Sequence, residues 1–389
     1  MTSKIGLAGD VVIVGGGISG LSIAALLSRH GIAVTLLEAS ELGTQASTSN
    51  QGWLYSGAWF APRQTALAKM CHNAFEETLR FCPDCLEPGH SGMMFGMTDQ
   101  SDIQHWTDAW TRAEIPWQPL APNRLRAAMP DSMVRFSDVF QLPDRAIRPQ
   151  ILLKRLADSA LEYGARIHTG VRVSQLNCND GAVRSVTTAT GDEICASLVI
   201  LATGASEADL SRYLTQPAQC SQSLYTRVTL QSHLLSVPQL ATQPVCLPDF
   251  EGFNHIPHMN QQRKRVSVFG VDRWRPLPAL QSHPSSDEEF CVIREHIARF
   301  FPNADFSTEA MCCWSGTTVQ AMCVDQIEPG LVPLPVVIDH ADECPEVSNL
   351  LSVYPGRATL WNQLAEDTAN IVLRRLKPTC SQTAIPPWA

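Results

Sequence analysis

The hydrophobic pattern opens with a short β-branched run, Val11-Val12-Ile13-Val14, which passes at once into glycines and then into Leu21, Ala24, Ala25 and Leu27 at helical spacing. Gly31 stops this helix, and Val34-Thr35-Leu36-Leu37 begins a second strand that ends at Glu38. Strand, glycine turn, helix and strand make a βαβ unit. Leu67, Met70, Phe75 and Leu79, with charges between them, predict an amphipathic helix over Leu67 to Phe81. Repeated prolines from Pro83 to Pro149 then predict short helices and loops in an inserted region.

Ile151 to Tyr163 again has helical spacing, and Ala165 to His168 and Val171 to Val173 alternate like strands. Asn179-Asp180-Gly181 is a hairpin signal. Leu198-Val199-Ile200-Leu201, ending at Ala202-Thr203-Gly204, reads as a buried parallel strand that returns the chain to the first sheet. From about 216 to 320, alternation such as Leu224, Thr226, Val228, Leu230 and later Val266, Val268, Gly270 predicts a mostly antiparallel sheet, the expected substrate platform. Leu350 to Val353 is a strand, Pro355-Gly356 a turn, and Leu360 to Leu376 a closing helix.

Composition narrows the function class. At roughly 150 residues per domain, 389 residues make two or three units with a cleft between them. With 29 Lys+Arg against 38 Asp+Glu the formal charge is −9, which argues against nucleic acid or an anionic membrane and for a small-molecule substrate. Thirteen scattered cysteines, an odd number, point to free thiols and a cytoplasmic location. Cys82 and Cys85 form a CxxC with no second pair or histidine at ligand spacing, so no metal is expected there, and adjacent Cys312 and Cys313 receive no role. No apolar run reaches the roughly 18 residues a membrane span needs, so no integral membrane segment is expected. Asp10 and the glycines also set the N-terminal apolar stretch apart from a signal peptide.

The chemistry is concentrated at Gly15-x-Gly17-x-x-Gly20, between strand and helix, with Glu38 closing the next strand. Gly15 permits the tight turn, Gly17 lets the backbone approach a pyrophosphate, and Gly20 allows close packing of the helix. The helix N-terminus at Ile18 and Ser19 suits phosphates. Glu38, followed by Ala39, is placed to accept bonds from ribose hydroxyls, which disfavours a 2′-phosphate. The fingerprint alone leaves NAD and FAD open.

The stretch from Gly43 through Ser47, Asn50-Gln51-Gly52-Trp53-Leu54-Tyr55-Ser56-Gly57 to Met70-Cys71 resembles the D-amino-acid-oxidase-like FAD superfamily, nearest its L-2-hydroxyglutarate and glycerol-3-phosphate oxidase and dehydrogenase branches. Ala146-Ile147-Arg148-Pro149, Val199 to Gly204, and Gly356-Arg357-Ala358-Thr359-Leu360 resemble further segments of that superfamily, in its order. The resemblance implies a mixed α/β fold: a Rossmann-type FAD-binding domain (1–90, 145–215 and 321–389) with an interleaved antiparallel-sheet substrate domain (91–144 and 216–320). It also implies FAD as cofactor, held by the first glycine turn, Glu38, Ala39, Ser47, Asn50 to Trp53, Val173, Thr203, Gly204 and Gly356 to Leu360.

Three departures qualify it. Tyr55-Ser56-Gly57 stands where the hydroxyglutarate branch has a histidine, so non-covalent FAD is expected. Trp314-Ser315-Gly316-Thr317-Thr318-Val319 lacks the arginine that relatives use on a substrate carboxylate or phosphate; Arg63, Arg227, Arg265, Arg273 and Arg275 are possible replacements. Pro355-Gly356-Arg357 replaces Gly-Gly-Lys and keeps the positive charge.

The resemblance implies dehydrogenation of a CH–OH group of a small polar substrate, with hydride transfer to flavin N5 and oxygen or another carrier as the final acceptor. Arg357 is expected to stabilise charge on the reduced ring. His255 and His258, flanking Ile256-Pro257, are candidate bases, and Tyr55 a donor or acceptor to substrate. Amine or amino-acid oxidation is the alternative, because the alcohol-branch arginine is absent. A non-catalytic flavin-binding assembly factor and a nicotinamide dehydrogenase are further alternatives.

Overall fold

The computed structural model describes residues 9–204, 225–260, 262–272, 275–277, 290–304, 311–323, 334–342, 347–376 and 388. In chain order, the first half contains β1 (Gly9–Val14), α1 (Ile18–Arg29), β2 (Val34–Leu37), β3 (Trp53–Leu54), α2 (Thr65–Phe81), β4 (Met93–Met97), α3 (Ile103–Arg112), β5 (Gln118–Leu120), α4 (Asn123–Ala128), β6 (Asp138–Leu142), β7 (Arg145–Ala146) and α5 (Pro149–Glu162). The second half contains β8 (Arg166–His168), β9 (Val173–Asn179), β10 (Ala182–Thr188), β11 (Glu193–Leu201), β12 (Tyr225–Pro238), β13 (Val245–Leu247), β14 (Phe253–Met259), β15 (Arg265–Gly270), β16 (Arg275–Leu277), α6 (Cys291–Phe300), β17 (Cys312–Cys323), β18 (Val336–Asp339), β19 (Leu350–Tyr354) and α7 (Trp361–Leu376).

The first sheet runs β18-β19-β11-β1-β2-β8, with the β9–β10 hairpin joined to it through β10 and β11. Its centre is parallel: β1 pairs with both β2 and β11, and β11 with β19. Both faces of these strands are covered, so Val11 to Val14 is apolar at successive positions instead of alternating. Helix α1 is buried along its whole length, in a core that also takes residues of α5 and α7. At the hairpin, Asp180 and Gly181 both have positive φ (51° and 67°), the conformation a two-residue turn requires.

The second sheet runs β16-β12-β15-β14-β13-β4-β6-β5, with β17 also on β12. It is antiparallel except where β13 meets β4. Strands β12 and β17 pair from Tyr225↔Cys323 to Ser236↔Cys312. The sheet therefore joins the segment around β4–β6 to the distant segment after residue 225.

Two local expectations need correction. The proline-rich stretch from 82 to 149 holds β4, β5 and β6 as well as short helices. Met93-Met94-Phe95-Gly96-Met97 is buried throughout, so no alternation marks it, and its sheet partner β13 lies some 150 positions away. The stretch from 216 to 320 also contains a helix, α6, which buries Ile293, Ile297 and Phe300 against phenylalanines of the same sheet. Of the alternating positions read there, Leu224 lies outside the described residues.

Candidate functional site

A cavity of about 400 Å³ runs from the end of β2 and the start of β9, past the glycine turn, to the face of the second sheet. Its lining includes Gly15, Gly17, Ile18, Ser19, Glu38, Ala39, Ser47, Asn50, Gln51, Trp53, Val173, Thr203, Gly204 and Gly356 to Thr359. Gly15 has φ +113°, and a Cβ there would collide with the carbonyl of Ala202. A Cβ on Gly17 would reach within 3.0 Å of Ser47 Oγ, which accepts a bond from Ile18 N at 2.9 Å. Gly20 lies outside the lining; a Cβ there would collide with the Gly15 carbonyl oxygen, so it shapes the turn from behind.

Glu38 braces the turn from its other side. Its Oε2 accepts from Gly16 N at 2.6 Å, and its Oε1 from Ser40 N at 2.9 Å. Ser40, Gly43, Thr44, Gln45, Val171 and Arg172 complete this end, and sequence reasoning missed them. The signal was their position immediately after Glu38 and before Val173. Thr203 Oγ1 is buried without a hydrogen-bond partner among the described residues, so a ligand hydroxyl or amide fits there. An open glycine turn, a helix N-terminus, an acid after β2 and this orphaned oxygen together fit an adenine dinucleotide.

At the other end, two segments distant in sequence converge. Tyr55 N donates to Thr359 Oγ1 at 3.3 Å, and the Arg357 guanidinium lies over Phe60, 5.3 Å from its ring centroid. Tyr55 stacks on Trp53 with ring centroids 4.3 Å apart. Beneath them, fully buried Asp144 accepts from Trp53 Nε1 at 2.8 Å, from Ser56 N at 3.1 Å and from the Ser56 hydroxyl. Burial raises the Asp144 carboxyl above the usual range, against the pull of those hydrogen bonds. Burial also raises the Tyr55 hydroxyl, despite nearby Arg357, so it remains an O–H donor at neutral pH. Asp144 was not anticipated; a lone Asp before Arg145 carries no motif.

The two histidines expected as bases lie outside this lining. His255 is 1% exposed, with Nδ1 2.9 Å from Gln243 O and Nε2 2.8 Å from Ser267 Oγ. Burial lowers its pKa to about 3, so it is neutral and has no free ring nitrogen to offer. His258 sits 3.0 Å from Glu87 Oε1 and 2.8 Å from Gln51 O, outside the lining, and braces the Gln51–Gly52 turn. Gly52 (φ +73°) forms that turn and Leu360 is buried in the core, so neither lines the cavity.

The second sheet contributes Ser232, Asn254, Thr318 and Gln320, with Trp59 and Asp272 at its edge. Trp59 Nε1 donates to Asp272 Oδ2 at 2.9 Å. Arg63 lies over the Trp59 ring and 3.7 Å from the same carboxylate oxygen. Arg63 and Arg265 are outside the lining, and the side chains of Arg227, Arg273 and Arg275 lie outside the described residues. Cys82 and Cys85 are packed in the first core. Among the described residues no cluster could hold a metal ion, and no helix is long and apolar enough to cross a membrane.

A dinucleotide turn in a parallel sheet, opening through one cavity onto a broad antiparallel sheet, is the architecture of a dinucleotide-dependent oxidoreductase. The FAD-dependent oxidoreductase family model matches residues 10–350, and the chain belongs to that family, with FAD as its cofactor. The chain is similar to the A1 component of the anaerobic glycerol-3-phosphate dehydrogenase of Haloferax volcanii, 29% identical over 94% of this chain and 64% of that one. It is 28% identical to the corresponding component of the Escherichia coli enzyme over 45% of this chain and 33% of that one. The chain thus spans one third to two thirds of the length of these relatives. Its fold matches the L-α-glycerophosphate oxidase of Mycoplasma pneumoniae (TM-score 0.73, 15% identity, 98% and 97% of the two chains). It also matches glycine oxidase from Geobacillus kaustophilus (TM-score 0.71, 18% identity, 97% and 100%).

Proposed function

We propose that this FAD-dependent oxidoreductase dehydrogenates a CH–OH group of a small polar substrate bound between the second sheet and the Tyr55–Arg357 corner. The observation that carries the reading is the continuous cavity that links the glycine turn, Tyr55 and Arg357 to polar side chains of the sheet. The similarity to glycerol-3-phosphate dehydrogenases supports alcohol as the oxidised group. Bound non-covalently, FAD supplies a two-electron acceptor in its ring system.

The chain's own residues supply the rest. The glycine turn with Ser47, Glu38 and Thr203 holds the dinucleotide, and Gly356 to Thr359 with Trp53 and the backbone of Gln51 holds the ring end. Arg357 places a fixed positive charge where electron density accumulates, without reorganisation during reaction. Tyr55, protonated and pinned against Trp53, donates a hydrogen bond. Trp59 and the Leu234 side of the sheet exclude water.

Amine oxidation is the second reading, favoured by Asp272 and by the amide oxygens of the sheet end. The test is anaerobic mixing of the purified yellow protein with panels of alcohols and of amines. Bleaching of the flavin band by alcohols supports the proposal. Bleaching by amines alone transfers it to the second reading, and a colourless protein that binds NADH but not FAD refutes both.

A further inference from the structure

Three side-chain amides in the cavity wall have their orientation fixed by the backbone. Gln51 Nε2 donates to Val268 O at 3.2 Å, Asn254 Nδ2 to Gly252 O at 2.8 Å, and Gln320 Nε2 to Gly356 O at 2.7 Å. A backbone carbonyl only accepts, so the atom facing it must be the NH₂ nitrogen and the other atom of each amide the oxygen. Asn254 and Gln320 are 5% and 3% exposed, and Asn254 Oδ1 and Gln320 Oε1 have no hydrogen-bond partner among the described residues. The oxygens of Gln51 and Asn254 lie close together, 3.3 and 3.5 Å from where a Cβ on Gly270 would stand, beside Leu234 Cδ2 at 3.0 Å. Asp272 adds a carboxylate to the same wall.

Such a wall discriminates by chemistry. A buried acceptor left unmatched is costly, so the sheet end is complementary to a ligand that brings O–H or N–H donors. A phosphate or carboxylate brings none, and would set its own negative oxygens against these. The positive charge in the lining near this end, Arg357, lies on the cofactor side, over Phe60.

We infer that the sheet end of the cavity selects a donor-rich substrate without a phosphate or carboxylate, in the form of a neutral polyol or an alkylammonium compound. This rests on the dehydrogenation reading above and restricts its substrate class.

The FAD-loaded holoenzyme is mixed anaerobically with two matched pairs: glycerol against glycerol 3-phosphate, and ethanolamine against glycine. In at least one pair the member without the anionic group is expected to reduce the flavin with roughly tenfold or greater efficiency than its partner. Asn254→Leu is expected to lower that efficiency by roughly tenfold with FAD content unchanged. Asp272→Asn separates the two sources: it lowers the response to ethanolamine by roughly tenfold if an ammonium is recognised, and lowers the response to glycerol by a smaller factor if a polyol is, because the Asn keeps an acceptor oxygen but loses the charge. Preference for the anionic member in both pairs overturns the inference. Loss of FAD from Asn254→Leu also overturns it, by assigning that oxygen to the cofactor. If no compound bleaches the flavin, the dehydrogenation reading fails, and selection is then read from perturbation of the oxidised flavin spectrum. Saturable perturbation by glycerol or ethanolamine, but not by phosphate or acetate, supports the wall as described; the reverse order, or no perturbation by any of the four, overturns it.

Discussion

Asp144 is the buried group on which the Trp53–Tyr55 corner rests, and replacing it separates hydrogen bonding from charge. In Asp144→Ala three donors lose their acceptor: the Trp53 indole N–H, the Ser56 amide and the Ser56 hydroxyl. Each buried donor left unmatched costs about 1–3 kcal/mol, and removal of a desolvated carboxylate offsets part of the total, so a net loss of about 3–5 kcal/mol is expected. With an unfolding entropy of about 2.1 cal/mol/K per residue, that lowers Tm by roughly 4–6 °C in a chain of this size. Asp144→Asn keeps an acceptor for the indole and the amide, and the Ser56 hydroxyl can rotate to accept from the new NH₂; a change within about 1 kcal/mol is expected.

The two variants also differ in pH response. The Asp144 carboxyl is raised in the folded state from its ordinary 3.8, so the folded protein keeps a proton that the unfolded chain has released. Its contribution is therefore fully present below 3.8 and is lost as pH rises through the folded value, a slope that Asp144→Asn abolishes. Thermal unfolding of the holoprotein at fixed excess FAD, across pH 4 to 8, measures both effects. An Ala variant as stable as the Asn variant refutes the hydrogen-bond reasoning, and equal pH slopes for wild type and Asp144→Asn refute the titration.

Three further outcomes follow from the site. Gly17→Val is expected to lower the flavin-to-protein ratio of purified protein, because the new side chain meets Ser47 and fills the turn; an unchanged ratio would remove the pyrophosphate from this position. Arg357→Ala is expected to slow flavin reduction by roughly 10²-fold while Tm moves little, and an equal reduction rate in stopped flow takes Arg357 out of the mechanism. His255, lowered to about 3 when folded against 6.5 when unfolded, contributes stability fully present above 6.5 and lost as pH falls toward 3. The slope is at most about 1.4 kcal/mol per pH unit; His255→Gln should flatten it and leave the pH–rate profile unchanged, whereas a shifted profile would restore a catalytic role.

Much of the FAD-binding unit was legible because its signals are local. Gly15 and Gly20 stand where the approach of the Ala202 and Gly15 carbonyls leaves no room for a side chain, Gly17 stands where a Cβ would press on Ser47 Oγ, and β1 is apolar at successive positions because the sheet is covered on both faces. Strands β4 and β6 were not legible as strands. They pair with each other across α3, β5 and α4, β4 pairs again with β13 far along the chain, and Met93 to Met97 carries neither alternation nor β-branched residues. The histidines are a different case: alternation along β14 turns Asn254 toward the cavity, whereas neighbouring His255 points to the sheet's other side toward Ser267, and no sequence signal gives the face.

The ties between the two halves explain why residues expected to do chemistry act as struts. Gln51 Nε2 reaches Val268 O, Trp314 Nε1 reaches Ser49 O at 3.1 Å, and Gln320 Nε2 reaches Gly356 O. Each is a side chain bonded to the backbone of the opposite unit, so the loops around residues 50 and 356 are held in register by the second sheet. His258 adds a fourth tie through Gln51 O. Geometry at the end of the cavity that the proposal assigns to the flavin ring thus depends on side chains of β14, β17 and the Gln51 loop. Substitution of Trp314 or His258 should consequently alter flavin reduction while leaving the adenosine end intact, a division of labour that follows from where the bonds run.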